Sequence, residues 1–435
     1  MASSARFHSG YQIGLESTAA VAFCAQSRQE MIKLKSIAQT PVARLFLGMM
    51  MVIASTVQAQ PGLRSEVVKP LSAAQEALKS NQTEQALRLA TEAAAVPALT
   101  EPEQQLVWRL QAVAALRLQQ WDLAIQRLDG LLGLASVSTA DRLPLQEMLV
   151  NASIQKKDAA RTVRVARQYL QGGGQHAGVR TALLQSLSML GEHQALVREM
   201  QAFIQQDQAQ GRKTPETDLR LMGAACLQLK DEASYFAVLK QLLGLYPSKA
   251  YWADAVVRLT NLPHFNSRYE LDGYRLLAET DNLEEAAEYT EMAALALKAG
   301  LPTEALRVLD KGHAQGVLGK GSEAAVHARL LLEARKKSQE DDTLLPQLEQ
   351  AAKDGNGWVA VADAHASKLN WPAALMAYDK AFKAGGLRRE AEVRLHHGMA
   401  LFKAGQKAAA KAQWQAIQSD STAMELASLW ELLVR

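Results

Sequence analysis

The chain has 435 residues, of which 48% are hydrophobic and 6% aromatic, and its formal net charge is +3. Helix-forming residues dominate and long alternations of β-branched residues are absent, so the composition favours an all-α protein. The basic excess lies before residue 60, and residues 60–435 contain equal numbers of acidic and basic residues. Because a phosphate-binding surface needs many unopposed cations, we expect no nucleic-acid partner.

Residues 31–59 have the three parts of a secretory signal peptide. A basic segment comes first, an apolar run from Leu45 to Ala54 follows, and Val57 and Ala59 place small side chains before a cut at Ala59/Gln60. The run is shorter than the roughly 20 residues that span a bilayer, so cleavage is favoured over retention as an anchor. We therefore expect a periplasmic protein with no integral membrane span after cleavage.

Residues 1–30 precede this signal, although such signals normally begin at the N-terminus. We interpret them as an upstream extension, either disordered or the product of a misplaced start, since Met31 is a natural start.

The rest of the chain is organised in helical repeats of the tetratricopeptide (TPR) kind, whose units of 34 residues place small residues where two helices cross. The best copy begins at Trp358. Val361 and Ala362 occupy the Leu-Gly positions of the repeat pattern in the first helix, and Ala374 and Tyr378 lie in the second helix. Further copies begin at intervals close to multiples of 35 residues. Their first residues are Trp108, Leu219, Tyr289 and Arg394.

Degenerate helix pairs fill the intervals between these copies. They are predicted at 66–95, 142–170, 180–204, and at 322–335 with 343–353 across a polar loop at 339–342. The expected fold is a right-handed α-solenoid of roughly nine stacked antiparallel helix pairs.

Two stretches interrupt the helical pattern and offer a domain boundary. Gln171 to Gln175 contains three glycines, and Gln205 to Asp218 is polar with a glycine and a proline. We place the boundary at the first, which gives N-terminal TPR-like helix pairs at 60–175 and a C-terminal TPR-like solenoid at 176–435.

Features that resemble reactive sites have simpler interpretations. The Gly-rich stretch 316–322 departs from the phosphate-loop pattern and follows no predicted strand, so an inter-repeat loop is favoured. His396 and His397 are adjacent and would point about 100° apart on a helix, and His365 occupies an aromatic repeat position. Cys226 lies in an apolar run and is interpreted as a buried structural thiol. We expect no catalytic, cofactor-binding or metal-binding residues, and no enzyme activity.

Aromatic residues are concentrated in one stretch of 29 residues. They either fill an irregular join between imperfect repeats or form a protein-contact patch, since tyrosine and tryptophan dominate binding hot spots. The candidate patch consists of Tyr246, Tyr251, Trp252, Phe265, Tyr269 and Tyr274.

The second half of the chain contains an ordered series of short motifs. The series runs from Tyr246–Trp252 through Leu297–Ala305 and Ala381–Leu387 to His397–Phe402. Over roughly 245–415 it resembles the C-terminal half of periplasmic tetratricopeptide proteins that accompany TonB–ExbB–ExbD systems, which use the proton gradient to drive outer-membrane iron and haem uptake. The resemblance brings no catalytic residues.

These observations predict a periplasmic scaffold that binds other proteins, and the resemblance implies an accessory role in a TonB-dependent energy-transduction or uptake system. The alternative within binding functions is a scaffold for cell-wall or polysaccharide-export machinery. An enzyme without a recognisable motif is the third possibility. Fold alone does not distinguish the partners.

Overall fold

The computed structural model describes residues 63–434, which form twenty α-helices, one short 3₁₀ turn and no strand. The all-α expectation is confirmed. The expectations for the extension at 1–30, the signal peptide at 31–59 and the cut at Ala59/Gln60 lie outside the described residues. The described chain divides into two compact units, 63–230 and 231–434, called here the N-terminal and the C-terminal unit.

The N-terminal unit consists of nine helices in which each helix packs on the next. They are α1 (Ser65–Lys79), α2 (Thr83–Ala94), α3 (Glu101–Arg117), α4 (Trp121–Gly133), α5 (Thr139–Gln155), α6 (Ala159–Gln171), α7 (Ala177–Met189), α8 (His193–Ala209) and α9 (Glu216–Gln228).

The turns within these helix pairs repeat one geometry. Asn81, Gln119 and Lys157 follow α1, α3 and α5 with positive φ, and Gly191 does the same after α7. In each turn the next residue donates its backbone N–H to a carbonyl five residues back, as Gln120 does to Ala115 at 2.9 Å. This is the Schellman ending of a helix, which reverses the chain and lets the two helices pack antiparallel.

The boundary that we expected after residue 175 is not where the structure divides, because the first unit extends to Lys230. The glycine stretch is a short turn across which α6 and α7 pack on each other. The second polar stretch is also bound to its neighbours, since Asp207 of α8 accepts hydrogen bonds from Arg180 (2.8 Å), Arg212 (3.0 Å) and Thr214 (3.1 Å). Glycine and polarity predict turns here and say nothing about how closely the flanking helices pack.

The C-terminal unit contains eleven helices among its described residues. They are α10 (Glu232–Leu245), α11 (Lys249–Thr260), α12 (Glu270–Glu279), α13 (Ala286–Lys298), α14 (Pro302–Ala314), α15 (Ala324–Ala351), α16 (Gly355–Ser367), α17 (Trp371–Ala384), α18 (Glu390–Lys403), α19 (Lys407–Gln415) and α20 (Ser421–Leu432).

The repeat beginning at Trp358 forms one hydrophobic core cluster of this unit. Ala362 and Ala374 are fully buried where α16 and α17 meet, and Tyr378 packs beside them. Small residues allow the close approach and the large residue fills the remaining space. The predicted frame of this repeat is confirmed.

The helix pair predicted at 322–335 and 343–353 is wrong. Both segments belong to one helix of 28 residues, α15, which runs through the expected polar loop at 339–342. Glutamine and glutamate are good helix formers, and Lys336 and Glu340 add an (i, i+4) ion pair across the expected break. The polar residues mark the exposed face of a helix here and do not end it.

The last helix, α20, packs back against α10 and α12. Glu425 of α20 accepts a hydrogen bond from Lys240 of α10 at 2.6 Å. Thr422 donates to the carbonyl of His264 at 3.1 Å and accepts from the N–H of Asn266 at 3.0 Å. The C-terminal unit therefore closes on itself, which a run of repeats alone does not predict.

Candidate functional site

A groove of about 560 Å³ lies within the C-terminal unit. The second half of α15 and the first half of α18 form its sides, α16 lies between them, and the turn at 299–301 completes it. Its lining residues are Ala299, Gly300, Leu301, Asp341, Leu344, Leu345, Leu348, Asn356, Val359, Ala360, Asp363, Ala364, Arg388, Arg389, Glu392, Val393 and His396.

The apolar wall of the groove follows from the length of α15. Its second half extends beyond the core, so that Leu344 remains 53% exposed and Leu348 37% exposed. The small side chains of Ala360 and Ala364 on α16 leave open space beside these leucines. Large apolar side chains that line an open groove are a common feature of protein-binding sites.

One end of the groove carries arginine side chains. Asn356, at the start of α16, holds the loop before α18 by donating to the carbonyl of Gly386 (3.0 Å) and accepting from the N–H of Arg388 (3.1 Å). The guanidinium of Arg388 is exposed and has no ion-pair partner among the described residues. Arg389 lies 3.6 Å from Glu392, which Arg268 also approaches at 3.6 Å.

The opposite end of the groove is acidic. Asp342 of α15 pairs with Lys368, just after α16. The neighbouring Asp341 is half-buried, and burial raises the pKa of its carboxyl because the charged form loses water. Asp341 has no ion-pair partner within the described part of the chain.

The floor of the groove is the edge of a buried ionic cluster. Asp363 of α16 accepts a hydrogen bond from the hydroxyl of Tyr378 at 2.6 Å. The ring of His396 bridges two carboxylates, with Nδ1 3.4 Å from Asp363 and Nε2 3.0 Å from Asp272 of α12. Burial alone would lower the pKa of His396, but the two carboxylates outweigh it and raise the pKa to about 10. The imidazole is therefore a cation at neutral pH.

Deeper in the unit, Arg275 connects the cluster to α14. Its guanidinium donates to both carboxylate oxygens of Glu304 (2.9 and 2.7 Å) and to Asp272 (2.8 Å). Burial would raise the pKa of both carboxyls, but the opposing cations hold them below their ordinary values. The cluster joins α12, α14, α16 and α18, so it fixes two of the helices that form the groove, α16 and α18.

Four of the six predicted aromatic patch residues are buried. Tyr251, Trp252, Tyr269 and Tyr274 are each at most 8% exposed, so they fill the join between α11 and α12. Of the six residues, only Tyr246 and Phe265 remain half-exposed. For these two, a role in protein contact stays a prediction.

The other singled-out residues are structural. His365 is buried, with Nε2 2.6 Å from Glu349, and His397 stacks on Tyr378 with ring centroids 5.1 Å apart. Cys226 is fully buried, as expected. The stretch 316–322 is the connection between two helices, α14 and α15. Within residues 63–434, no group of three or more His, Cys, Asp or Glu side chains is arranged so that it could hold a metal ion, and no helix has the length and apolarity that crossing a membrane requires.

Sequence reasoning did not find the ionic cluster or the groove. Asp272 and His396 are 124 positions apart, and each is an ordinary polar residue in its own helix. A possible signal was the pair Leu344 and Leu345 beside an acidic stretch, which is unusual for a loop.

No family model matches the chain, and no curated protein matches it. Among solved structures, the TPR2AB domain of yeast Sti1 in complex with pHSP90 is similar over 62% of this chain and 99% of that chain (16% identity, TM-score 0.34). Naa15/Naa10 bound to HypK is similar over 83% and 58% (17% identity, TM-score 0.38). The maize pentatricopeptide repeat protein PPR10 is similar over 93% and 66% (13% identity, TM-score 0.30).

At such low identities and TM-scores, these similarities carry no argument about fold or function. The stacked helix pairs, with their repeated turns and small residues at the crossings, have the architecture of a tetratricopeptide-like helical-repeat protein.

Proposed function

We propose that this protein is a scaffold that binds a segment of another protein in the groove of its C-terminal unit. The observation that carries the proposal is the open apolar wall of Leu344 and Leu348, which lines the groove together with Val359. Covering leucine side chains that are exposed beside an unfilled groove removes apolar surface from water, which lowers the free energy of the complex. Binding rather than catalysis is the expected activity.

We further propose that the protein works in the periplasm. The support is the sequence of residues 31–59, with its basic segment, its short apolar run and its small residues before Gln60. Mass spectrometry of the protein isolated from its host would test this. A mature N-terminus at Gln60 is expected, and an intact residue 31 in the envelope fraction would contradict cleavage.

As partner we propose a component of a TonB–ExbB–ExbD system. The support is the resemblance over roughly 245–415, a stretch that includes all of the groove. The proposed role is accessory: the scaffold would hold a segment of an envelope protein while the energy-transducing complex works.

The test is recovery of TonB, ExbB and ExbD from envelope fractions by the tagged full chain, measured by immunoblot. Leu344→Glu places a charge in the apolar wall and should lower recovery at least about tenfold. Leu332→Glu is the matched control, because Leu332 lies on the same helix, is 65% exposed and does not line the groove.

Equal recovery with the two variants would contradict binding in the groove. Recovery of cell-wall or polysaccharide-export proteins, lost with Leu344→Glu only, would keep the scaffold function and replace the TonB assignment.

A further inference from the structure

The charged residues that line the groove are not all neutralised by one another. Asp363 pairs with His396, which Asp272 shares, and Glu392 pairs with both Arg389 and Arg268. Two charges are left over, the guanidinium of Arg388 and the carboxylate of Asp341. An unpaired charge beside an apolar groove loses water when a ligand covers it, and a ligand charge of opposite sign compensates that loss.

These two charges lie at opposite ends of the groove. The backbone of Arg388 is hydrogen-bonded to Asn356, at the first turn of α16. Asp341 is adjacent to Asp342, which pairs with Lys368 just beyond the last turn of α16. The helical rise of 1.5 Å per residue places Asn356 and Lys368 about 18 Å apart. An extended peptide covers that distance in about five or six residues.

The middle of the groove has a different character. Leu344, Leu345 and Leu348 of α15 line it together with Val359 of α16. The polar groups of the floor are already occupied, because Asp363 accepts from Tyr378 and lies beside the cationic ring of His396. A ligand therefore gains from apolar side chains in the middle and from charge only at the ends.

We infer that the groove selects a short extended segment of a partner protein with an acidic residue at one end, three or four apolar residues, and a basic residue at the other end. The acidic residue faces Arg388 and the basic residue faces Asp341. This inference rests on the proposed scaffold function and specifies the partner that the same groove accepts.

The opposite charges also argue against a nucleic acid or a lipid phosphate as the ligand. A phosphate at Arg388 would leave the rest of a polyanion beside the unpaired carboxylate of Asp341. Like charges at these distances oppose binding. Only a ligand that changes sign along its length satisfies both ends.

The first experiment is selection of random linear dodecapeptides displayed on phage against the full chain. Peptides that bind Leu344→Glu equally well are discarded, since they do not use the groove. The expected consensus has Asp or Glu and Lys or Arg separated by three or four apolar residues, always in the same order along the peptide.

The second experiment reverses one charge of the protein. A fluorescent peptide carrying the consensus should bind Arg388→Glu at least about tenfold more weakly, measured by fluorescence anisotropy. The same peptide with Lys in place of its acidic residue should regain binding to Arg388→Glu. Lys383→Glu is the matched control, because Lys383 is exposed on α17 and does not line the groove. Since Arg388 holds Asn356 through its backbone, the substitution leaves that hydrogen bond in place.

The outcomes separate the two ideas. Groove-dependent peptides with no charges, with charges of one sign or with no fixed order would overturn this inference and leave the scaffold function in place. No enrichment over Leu344→Glu would contradict peptide binding in the groove and thus the proposed function itself.

Discussion

Replacing Arg275 by methionine tests whether the buried ionic cluster holds the C-terminal unit together. The guanidinium is 14% exposed, and the carboxylates it binds are almost fully buried, at 4% for Asp272 and 7% for Glu304. Methionine keeps most of the side-chain volume and removes the charge. Asp272 retains His396, but Glu304 loses its bidentate partner.

The expected cost follows from the loss of this hydrogen-bonded partner, since Arg307 acts on the Glu304 charge without a hydrogen bond. Removing one partner of a buried ion pair costs about 3–5 kcal/mol, far more than an exposed pair contributes. For a unit of this size each kcal/mol lowers the melting temperature by roughly 2–4 °C, so a fall of roughly 6–20 °C is expected. The double variant Arg275→Met with Glu304→Met should recover most of the loss, because two apolar side chains replace the pair.

The assay is urea unfolding followed by circular dichroism, together with calorimetric melting. Lys337→Met is the control, since its partner Glu333 and Lys337 itself are both 48% exposed and such helical pairs contribute only about 0.3–0.5 kcal/mol. A loss below about 1 kcal/mol for Arg275→Met, or no recovery in the double variant, would refute the reasoning.

Three further predictions concern stability. The pKa of His396 is raised from 6.5 to about 10, so protonated His396 stabilises the folded state fully below pH 6.5, and this stabilisation is lost as pH rises to 10. The free energy of unfolding should therefore decrease less between pH 6.5 and 10 in His396→Gln than in the unsubstituted protein. Gly398→Ala should lower the free energy of unfolding, measured in urea, by about 1–3 kcal/mol, since the added Cβ would lie 2.2 Å from Trp414 Nε1. Gly273→Ala should instead raise it by about 0.5–1 kcal/mol, because the nearest atom to its Cβ is 3.7 Å away. Equal effects of the two substitutions would contradict the packing argument. Leu369→Gly should increase the free energy of unfolding by about 1 kcal/mol and so raise the melting temperature, because Leu369 has a φ of 58° that glycine adopts without strain. A lower melting temperature would show that the lost side-chain contacts outweigh the relief of backbone strain.

The helix pairs could be predicted because their signals are local. Trp358, Ala362 and Ala374 stand at spacings that bring them together through one turn of chain. The caps are local as well: Asp354 accepts a hydrogen bond from Gly357 at 2.7 Å, three residues along the chain. Such contacts depend on helical geometry and not on the rest of the fold.

The predicted loop at 339–342 is wrong because a polar stretch is compatible with two structures. The stretch 339–342 is polar, which fits either a loop or the exposed side of a helix. The structure continues the helix, and that continuation carries Leu344 and Leu348 out of the core and creates the groove. The candidate site thus results from an irregularity of the repeat that the pattern did not resolve.

The aromatic cluster shows the same limit for burial. Phe265 and Tyr269 are only four positions apart and equally suited to a binding surface, yet Tyr269 is fully buried and Phe265 is half-exposed. Composition gives the number of large side chains, and the approach of α12 and α20 decides which of them lose contact with water.

The sequence by itself therefore determined the helical class, the repeat units, their turns and the buried small residues, since each depends on residues within about one repeat of one another. Only the tertiary structure decided that the C-terminal unit closes on itself and that Asp272 meets His396 across 124 positions. Charged residues of this kind are identical in sequence whether they face water or one another. Their burial, their pKa shifts and the unpaired charges of the groove arise only when helices far apart in the chain come into contact.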